Sequence, residues 1–130
     1  MPMAALCCAG ALVAAACATT APRSDLAGTS WSVATLGGET IGAQAPTIDF
    51  AHDRIAGTGG CNRYFGQYTA GDGAISFTAV GSTRMACDPA VMQREAEFFR
   101  ALEAARSYSR LGDTLVLRDE AGGSMTLRAG

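Results

Sequence analysis

The chain lacks lysine entirely and has a single histidine, His52, among its 130 residues. Its ten basic residues are therefore all arginine, and twelve acidic residues bring the formal net charge to −2. Because binding to nucleic acid calls for a basic face, we expect no nucleic-acid partner. Histidine is the usual general base at neutral pH. His52 falls in a predicted turn between strands, so we predict that it is exposed and assign no catalytic residue.

The sequence also lacks a hydrophobic run of the roughly 20 residues that a membrane-spanning helix needs. Residues 3–18 come nearest, with no charged residue. A short apolar run that ends in small residues is typical of an export signal. Ala14-Ala15-Ala16-Cys17 is similar to a lipobox, which predicts a lipoprotein-type signal peptide at residues 1–16 and lipidation of Cys17. The alternative is ordinary cleavage after an Ala-x-Ala site, which would release a periplasmic or secreted protein.

The remaining length predicts one domain, since about 110 residues form a single ordinary core. Residues 17–27 are small and polar, with one proline, and are typical of a flexible tether. Residues 28–130 form the predicted domain. We expect a monomer held by its lipid on the periplasmic face of a membrane, and we favour the outer membrane.

The hydrophobic pattern predicts short strands, one helix, and then further strands. Asp88 suits the N-cap of that helix and Pro89 its first position. Short turns without a βαβ repeat favour an antiparallel sheet. The predicted fold class is α+β, a strongly curved antiparallel sheet or incomplete β-barrel with one helix packed against it. The predicted strands cover Ser30–Leu36, Pro46–Ala51, Ile55–Gly57, Asn62–Thr69, Ala74–Val80, Ser107–Arg110, Thr114–Arg118 and Ser124–Arg128, and the inward helical stripe is Val91, Phe98, Phe99, Leu102 and Ala105.

Two of the five cysteines, Cys61 and Cys87, remain in the predicted domain. In an oxidising compartment such a pair usually forms a disulfide. Reactive thiols and a metal site are the alternatives. Zinc normally takes four Cys or His ligands at close spacing, and His52 alone could join these two. We therefore predict a disulfide, no metal and no cofactor.

Glycine is frequent just before Cys61, at Gly57, Gly59 and Gly60. Such a cluster indicates a bulge, a positive φ or a close backbone approach. A phosphate-binding loop is the functional alternative, but it needs a following helix and usually a lysine. We therefore favour a structural turn in which Asn62 hydrogen-bonds to backbone.

The run GCNRYFGQY at residues 60–68 and the run STRMAC at residues 82–87 resemble the META domain, or HslJ-like, family of small bacterial envelope lipoproteins. The resemblance covers roughly Trp31 to Leu127. It implies an incomplete barrel with a helix, no established enzymatic activity, and a role in envelope integrity or stress tolerance. The residues that carry it are Gly60, Asn62, Arg63, Tyr64, Gly66, Tyr68, Thr83 and Met85.

Aromatic residues either fill the interior of such a barrel or line a cleft between sheet and helix. META domains resemble the pilot lipoproteins of secretion systems, whose cracked barrel holds an apolar cleft. The resemblance thus implies a non-enzymatic module that binds an envelope protein segment or a lipid. The alternatives are an interaction module that uses a sheet edge and a periplasmic thiol enzyme. The candidate cleft residues are Trp31, Phe65, Phe77, Phe98, Phe99 and Met92.

Overall fold

A computed structural model describes residues 25–130 of the chain. The predicted signal peptide and Cys17 lie outside the described residues. The strands are β1 (Ser30–Leu36), β2 (Glu39–Thr40), β3 (Thr47–Phe50), β4 (Arg54–Thr58), β5 (Arg63–Gly71), β6 (Ala74–Ser82), β7 (Ala105–Leu111), β8 (Thr114–Asp119) and β9 (Ser124–Ala129), and the helix is α1 (Pro89–Ala104).

The sheet closes on itself. Its order is β2-β1-β3-β4-β5-β6-β7-β8-β9, and β9 pairs back with β1 from Trp31↔Ala129 to Leu36↔Met125. All pairings are antiparallel, and without the two-residue β2 the barrel has eight strands. The α+β class with a single helix is confirmed, but the prediction of an incomplete barrel is wrong. Closure is favoured because pairing β1 with β9 removes two exposed sheet edges.

The barrel interior is filled by the alternating apolar residues of the strands, because successive side chains of a strand point to opposite faces. On β1 the predicted inward residues Trp31, Val33 and Leu36 are all buried. On β5 Tyr64 and Tyr68 point inward, so Phe65 between them must point outward. Buried residues of β3, β6, β8, β9 and α1 complete one core: Ile48, Phe50, Ile75, Phe77, Phe98, Leu102, Leu115, Leu117, Met125 and Leu127.

The predicted hairpin between β5 and β6 is confirmed. Asp72 and Gly73 form its two-residue turn, with φ of 54° and 83°. A type I′ turn requires positive φ at both positions and matches the twist of the flanking strands. Local sequence chemistry is therefore sufficient to fix this turn and the strand pairing next to it.

The junction between β6 and β7 is the weakest in the barrel. These strands pair at one position, Ala74↔Ser107, whereas β5 and β6 pair at seven. The chain leaves β6 at Ser82 and returns at Ala105, and α1 packs over β6 between those points. The helix therefore fills the gap that strand pairing leaves open.

The helix begins at Pro89, as predicted, with Asp88 at the N-cap position. The Asp88 side chain makes no capping hydrogen bond. The backbone carbonyl oxygen of Asp88 accepts from the Met92 N–H at 3.0 Å. Ala105, predicted as part of the helical stripe, is the first residue of β7. Among the described residues, no helix is long and apolar enough to cross a bilayer.

The residues just before β1 pack against the barrel. Leu26, assigned to the tether, is fully buried in the core. Its carbonyl oxygen accepts from the Thr29 N–H at 3.0 Å, and the Asp25 carbonyl oxygen accepts from the Arg110 guanidinium at 2.7 Å. A single apolar residue in a polar stretch creates no periodicity, so the sequence carries no signal that Leu26 is buried. Asp25 and Leu26, which the prediction places in the tether, therefore pack against the barrel.

Candidate functional site

Cys61 and Cys87 are joined in a disulfide, with their Cα atoms 6.0 Å apart and a sequence separation of 26. Cys61 lies in the loop before β5, and Cys87 lies in the segment before α1. The bridge therefore fastens the helix entry to the barrel. In the disulfide neither cysteine has the free thiol that a thiol enzyme would need.

The Asn62 side chain holds the same segment through hydrogen bonds. Its Oδ1 accepts from the Met85 N–H at 2.6 Å and from the Thr83 hydroxyl at 2.9 Å. Its Nδ2 donates to the Met85 carbonyl oxygen at 3.2 Å. The predicted contact with backbone is present, but it reaches a segment 23 residues away instead of closing a local turn.

Glu95, in the middle of α1, supplies the other half of this arrangement. Its Oε2 accepts from the Cys61 N–H at 3.0 Å and from the Asn62 N–H at 2.6 Å. Its Oε1 accepts from Asn62 Nδ2 at 2.7 Å. Glu95 and Asn62 are each only 3% exposed. Burial of a carboxylate is tolerated because three donors satisfy it.

Sequence reasoning missed this role of Glu95. The helical periodicity that includes Val91 and Phe98 also includes position 95, four residues after one and three before the other. An inward stripe that is defined by apolar residues alone does not include it. A glutamate at an apolar position of a helix was the available signal, since such a residue must find partners.

The glycines before Cys61 make room for Glu95. A Cβ on Gly59 would lie 2.7 Å from Glu95 Cγ and 2.9 Å from Phe99 Cζ. Gly60 has a φ of 118°, which favours glycine. The loop can therefore approach the helix closely enough for backbone N–H groups to reach the carboxylate. The close approach read from the sequence is present.

The two inward tyrosines of the motif brace β5 against β3. The Tyr64 hydroxyl donates to the Thr47 carbonyl oxygen at 2.6 Å, and the Tyr68 hydroxyl donates to the Ala51 carbonyl oxygen at 2.7 Å. Burial, with a smaller effect of Asp49, raises the pKa of Tyr64 above its usual range. Tyr64 therefore stays neutral and keeps its hydrogen bond.

A surface groove of about 400 Å³ lies beside this network, between α1 and residues 82–85. Its apolar lining comes from Met85, Met92, Ala96 and Phe99, and its floor includes Asn62 and Glu95. Met85 is 60% exposed. We call this the methionine groove.

The comparisons with known proteins agree with this fold and motif. The META domain model matches residues 24–129. This chain belongs to the META domain family. Among curated proteins, no sequence matches it.

Three solved structures share the fold of this META domain. An NMR structure of a protein from Burkholderia xenovorans is 25% identical, covers 85% of this chain and 91% of its own, and has a TM-score of 0.68. A second NMR structure is 20% identical, with coverages of 79% and 90% and a TM-score of 0.66. A crystal structure of a duf4847 family protein from Bacteroides vulgatus is 17% identical, with coverages of 81% and 94% and a TM-score of 0.61.

The META motif residues divide between the barrel interior and the network. Tyr64, Gly66 and Tyr68 are buried in β5. Asn62, Thr83 and Met85 meet in the network, and Gly60 lies beside it. The Arg63 side chain is exposed, while its N–H donates to the Thr83 hydroxyl at 3.2 Å.

The six candidate cleft residues do not line one surface. Trp31, Phe77 and Phe98 are buried in the core. Phe65 is exposed on the outer face of the sheet. Phe99 and Met92 alone border the methionine groove. The alternation of β5 and the closure of the barrel separate the others.

His52 is exposed in the turn between β3 and β4. Within residues 25–130 no group of three or more His, Cys, Asp or Glu side chains is placed to hold a metal ion.

Proposed function

We propose that this META domain is a non-enzymatic envelope module that binds an apolar segment of a partner protein in the methionine groove, in support of envelope integrity or stress tolerance. The observation that carries the proposal is the exposure of Met85 above a fixed, hydrogen-bonded floor. Methionine side chains adapt to varied apolar partners. The disulfide and the Asn62–Glu95 network fix the walls before binding, which lowers the ordering cost of association.

The charge at the rim of the methionine groove indicates which kind of partner segment would bind. Arg84 lines the rim, next to Met85 and Thr83. An apolar segment with a carboxylate beside it would place its apolar side chains on the two methionines and its charge near this guanidinium. Opposite charges across an interface favour the correct partner over others.

Membrane attachment through Cys17 would leave the groove accessible. Seven residues, 18–24, separate Cys17 from Asp25, a reach of about 25 Å. Asp25 contacts Arg110 on β7. Two residues before Arg110, the Tyr108 N–H donates to the carbonyl oxygen of Gly73 in the β5–β6 turn, so Asp25 lies near that turn. The groove lies at the other end of β5, about 30 Å away along nine residues. A lipid at Cys17 would thus attach the domain at the end of the barrel that lies away from the groove.

The sheet-edge alternative has less surface to use. Closure pairs β1 with β9, and α1 packs over β6 where its pairing with β7 stops. Edge pairing with a partner strand needs a free row of backbone groups. The closed barrel therefore favours the groove over an edge.

Anilinonaphthalene sulfonate, a fluorescent probe that is both apolar and anionic, tests the proposal directly. We expect Met85→Glu to weaken its binding about tenfold, because a charge would enter the apolar wall. Leu111→Glu is the matched control, since Leu111 is 85% exposed at the opposite end of the barrel. Equal binding by the two variants would reject the groove.

A photo-crosslinking residue at position 85, in the full-length lipidated chain, then identifies what the groove holds in the envelope. We expect an adduct with an apolar peptide flanked by acidic residues, and none from position 111. Adducts with lipid alone would contradict a protein partner. A soluble, unlipidated product of the gene would contradict the anchoring.

A further inference from the structure

A second groove, of about 550 Å³, lies on the outer face of β3 to β6 and shares no lining residue with the methionine groove. Strand register builds it: Asp49 pairs with Ala56, Ala56 with Phe65, and Arg54 with Gln67. Ala56 is small, so the floor between the larger side chains stays open. The volume falls within the range of about 300–1,000 Å³ that small-molecule sites occupy. We call this the outer groove.

Phe65 provides an aromatic platform at one side of the outer groove. Phe65 is 63% exposed, and the alternation of β5 directs its side chain outward. Gly81 lies opposite Phe65 on β6, and a Cβ there would be only 3.1 Å from Phe65 Cζ and 3.4 Å from Cε2. The ring therefore rests against the Gly81 backbone, which fixes its position while much of it remains open to solvent.

A β-bulge shapes the other side of the outer groove. The register between β5 and β6 shifts between Phe65 and Gln67, and Ala79 on β6 has a φ of 55°. A left-handed conformation is unfavourable for alanine, so the surrounding strands must hold it. Bulges commonly redirect side chains beside binding sites. Here the bulge sets Ala79 at the border of the groove, where a larger side chain would narrow it.

The polar groups around Phe65 define the ligand chemistry. Arg54 offers only donors, Asp49 only acceptors, and Gln67 both. One cation and one anion leave no net charge, so the groove does not select an ion. An acyl chain would desolvate both charged groups without replacing their hydrogen bonds. A pyranose ring fits both features, since its hydroxyls donate and accept while its C–H face packs on the electron-rich face of an aromatic ring.

We infer that the outer groove binds a neutral saccharide, with one sugar ring stacked on Phe65 and its hydroxyls bonded to Arg54, Asp49 and Gln67. This binding is independent of the methionine groove. A module with both would hold a glycan on the sheet face and a protein segment beside the helix.

Heteronuclear NMR titration with N,N′-diacetylchitobiose, cellobiose and maltose tests the inference. We expect at least one sugar to shift the amide signals of Arg54, Ala56, Phe65 and Gln67 in a saturable manner. Phe65→Ala should weaken that binding roughly tenfold and Phe65→Trp should strengthen it. Both changes are at an exposed position, so the fold is preserved.

Leu111→Ala is the matched control, because it removes another exposed apolar side chain outside the outer groove. It should leave sugar binding unchanged, as should Met85→Glu, which separates this test from that of the methionine groove. Absence of saturable shifts with all three sugars would overturn the inference. Equal shifts in the wild type and Phe65→Ala, or shifts at these amides with an apolar peptide but no sugar, would do the same.

Discussion

At the scale of single residues, Glu95 and Asn62 form the most constrained pair in this domain. Both carboxylate oxygens of Glu95 accept hydrogen bonds from Asn62, one from its backbone N–H and the other from its Nδ2, while Asn62 Oδ1 accepts from Met85 and Thr83. Among the described residues, no buried side-chain polar atom is left unpaired. A network in which each group is satisfied specifies one arrangement of the loop and the helix.

Glu95→Gln should destabilise the domain even though the shape is conserved. An amide has one acceptor oxygen, so its NH₂ group would face either the two backbone N–H groups or Asn62 Nδ2. Leaving buried donors without an acceptor costs about 1–3 kcal/mol. Urea unfolding, followed by fluorescence of the buried Trp31, measures the loss.

Glu103→Gln is the control for that substitution, because Glu103 is exposed on the same helix. It should change the free energy of unfolding by less than about 0.5 kcal/mol. Equal stabilities of the Glu95→Gln and Glu103→Gln variants would show that the carboxylate is not required.

At the scale of elements, the segment between β6 and α1 is fastened to the barrel twice. The disulfide joins Cys87 to Cys61, and the Asn62 side chain holds the backbone of Met85. The two attachments work differently. The covalent bridge mainly restricts the unfolded chain, whereas the hydrogen bonds act only in the folded state.

Replacing both Cys61 and Cys87 with serine should therefore lower stability without releasing the segment. Closing a loop of this length contributes about 3–4 kcal/mol in the chain-entropy description. We expect that loss in urea unfolding, and we expect the Met85 amide to stay protected from hydrogen exchange. In Asn62→Ala, with the disulfide intact, the same amide should exchange rapidly.

Two outcomes would contradict this division of roles between the disulfide and the hydrogen bonds. Wild-type protein that reacts with a thiol reagent while folded would show that the bridge is not formed. Rapid exchange of the Met85 amide in the double serine variant would show that the disulfide alone holds the segment.

At the scale of the whole molecule, the segment before β1 is held against the closed barrel. The Arg110 guanidinium lies 5.2 Å from the Trp31 ring centroid and 3.5 Å from the Asp25 carboxylate. Leu26 fills the core directly beside this contact. The entry segment is thus part of the barrel and not of the tether.

A chain that begins at Asp25 should accordingly be more stable than one that begins at Gly28. Loss of the buried Leu26 side chain costs about 2–5 kcal/mol. Thermal and urea unfolding of the two proteins measure the difference, and Leu26→Ala in the longer one should reproduce most of it. If the two chains unfold with the same free energy, Leu26 contributes nothing and the boundary belongs at Gly28.

Much of the fold followed from local signals. The alternation in β1 and β5, the Asp72-Gly73 turn and the Pro89 helix start are each decided by a few neighbouring residues. The site was less accessible from sequence. Glu95 reaches Asn62 across 33 residues, and no local pattern records that partnership. The six candidate cleft residues were also grouped by type, whereas their positions depend on strand register.

The sequence by itself determined most of the elements, their order and membership of the META domain family, because periodicity, turn chemistry and motif residues act over short distances. Only the tertiary structure decided that the barrel closes, that Leu26 belongs to the core, and that Phe65 faces outward while Phe99 borders the methionine groove. These outcomes depend on which strands meet and in which register. That is a property of the whole chain, since shifting a strand by one residue exchanges its buried and exposed faces.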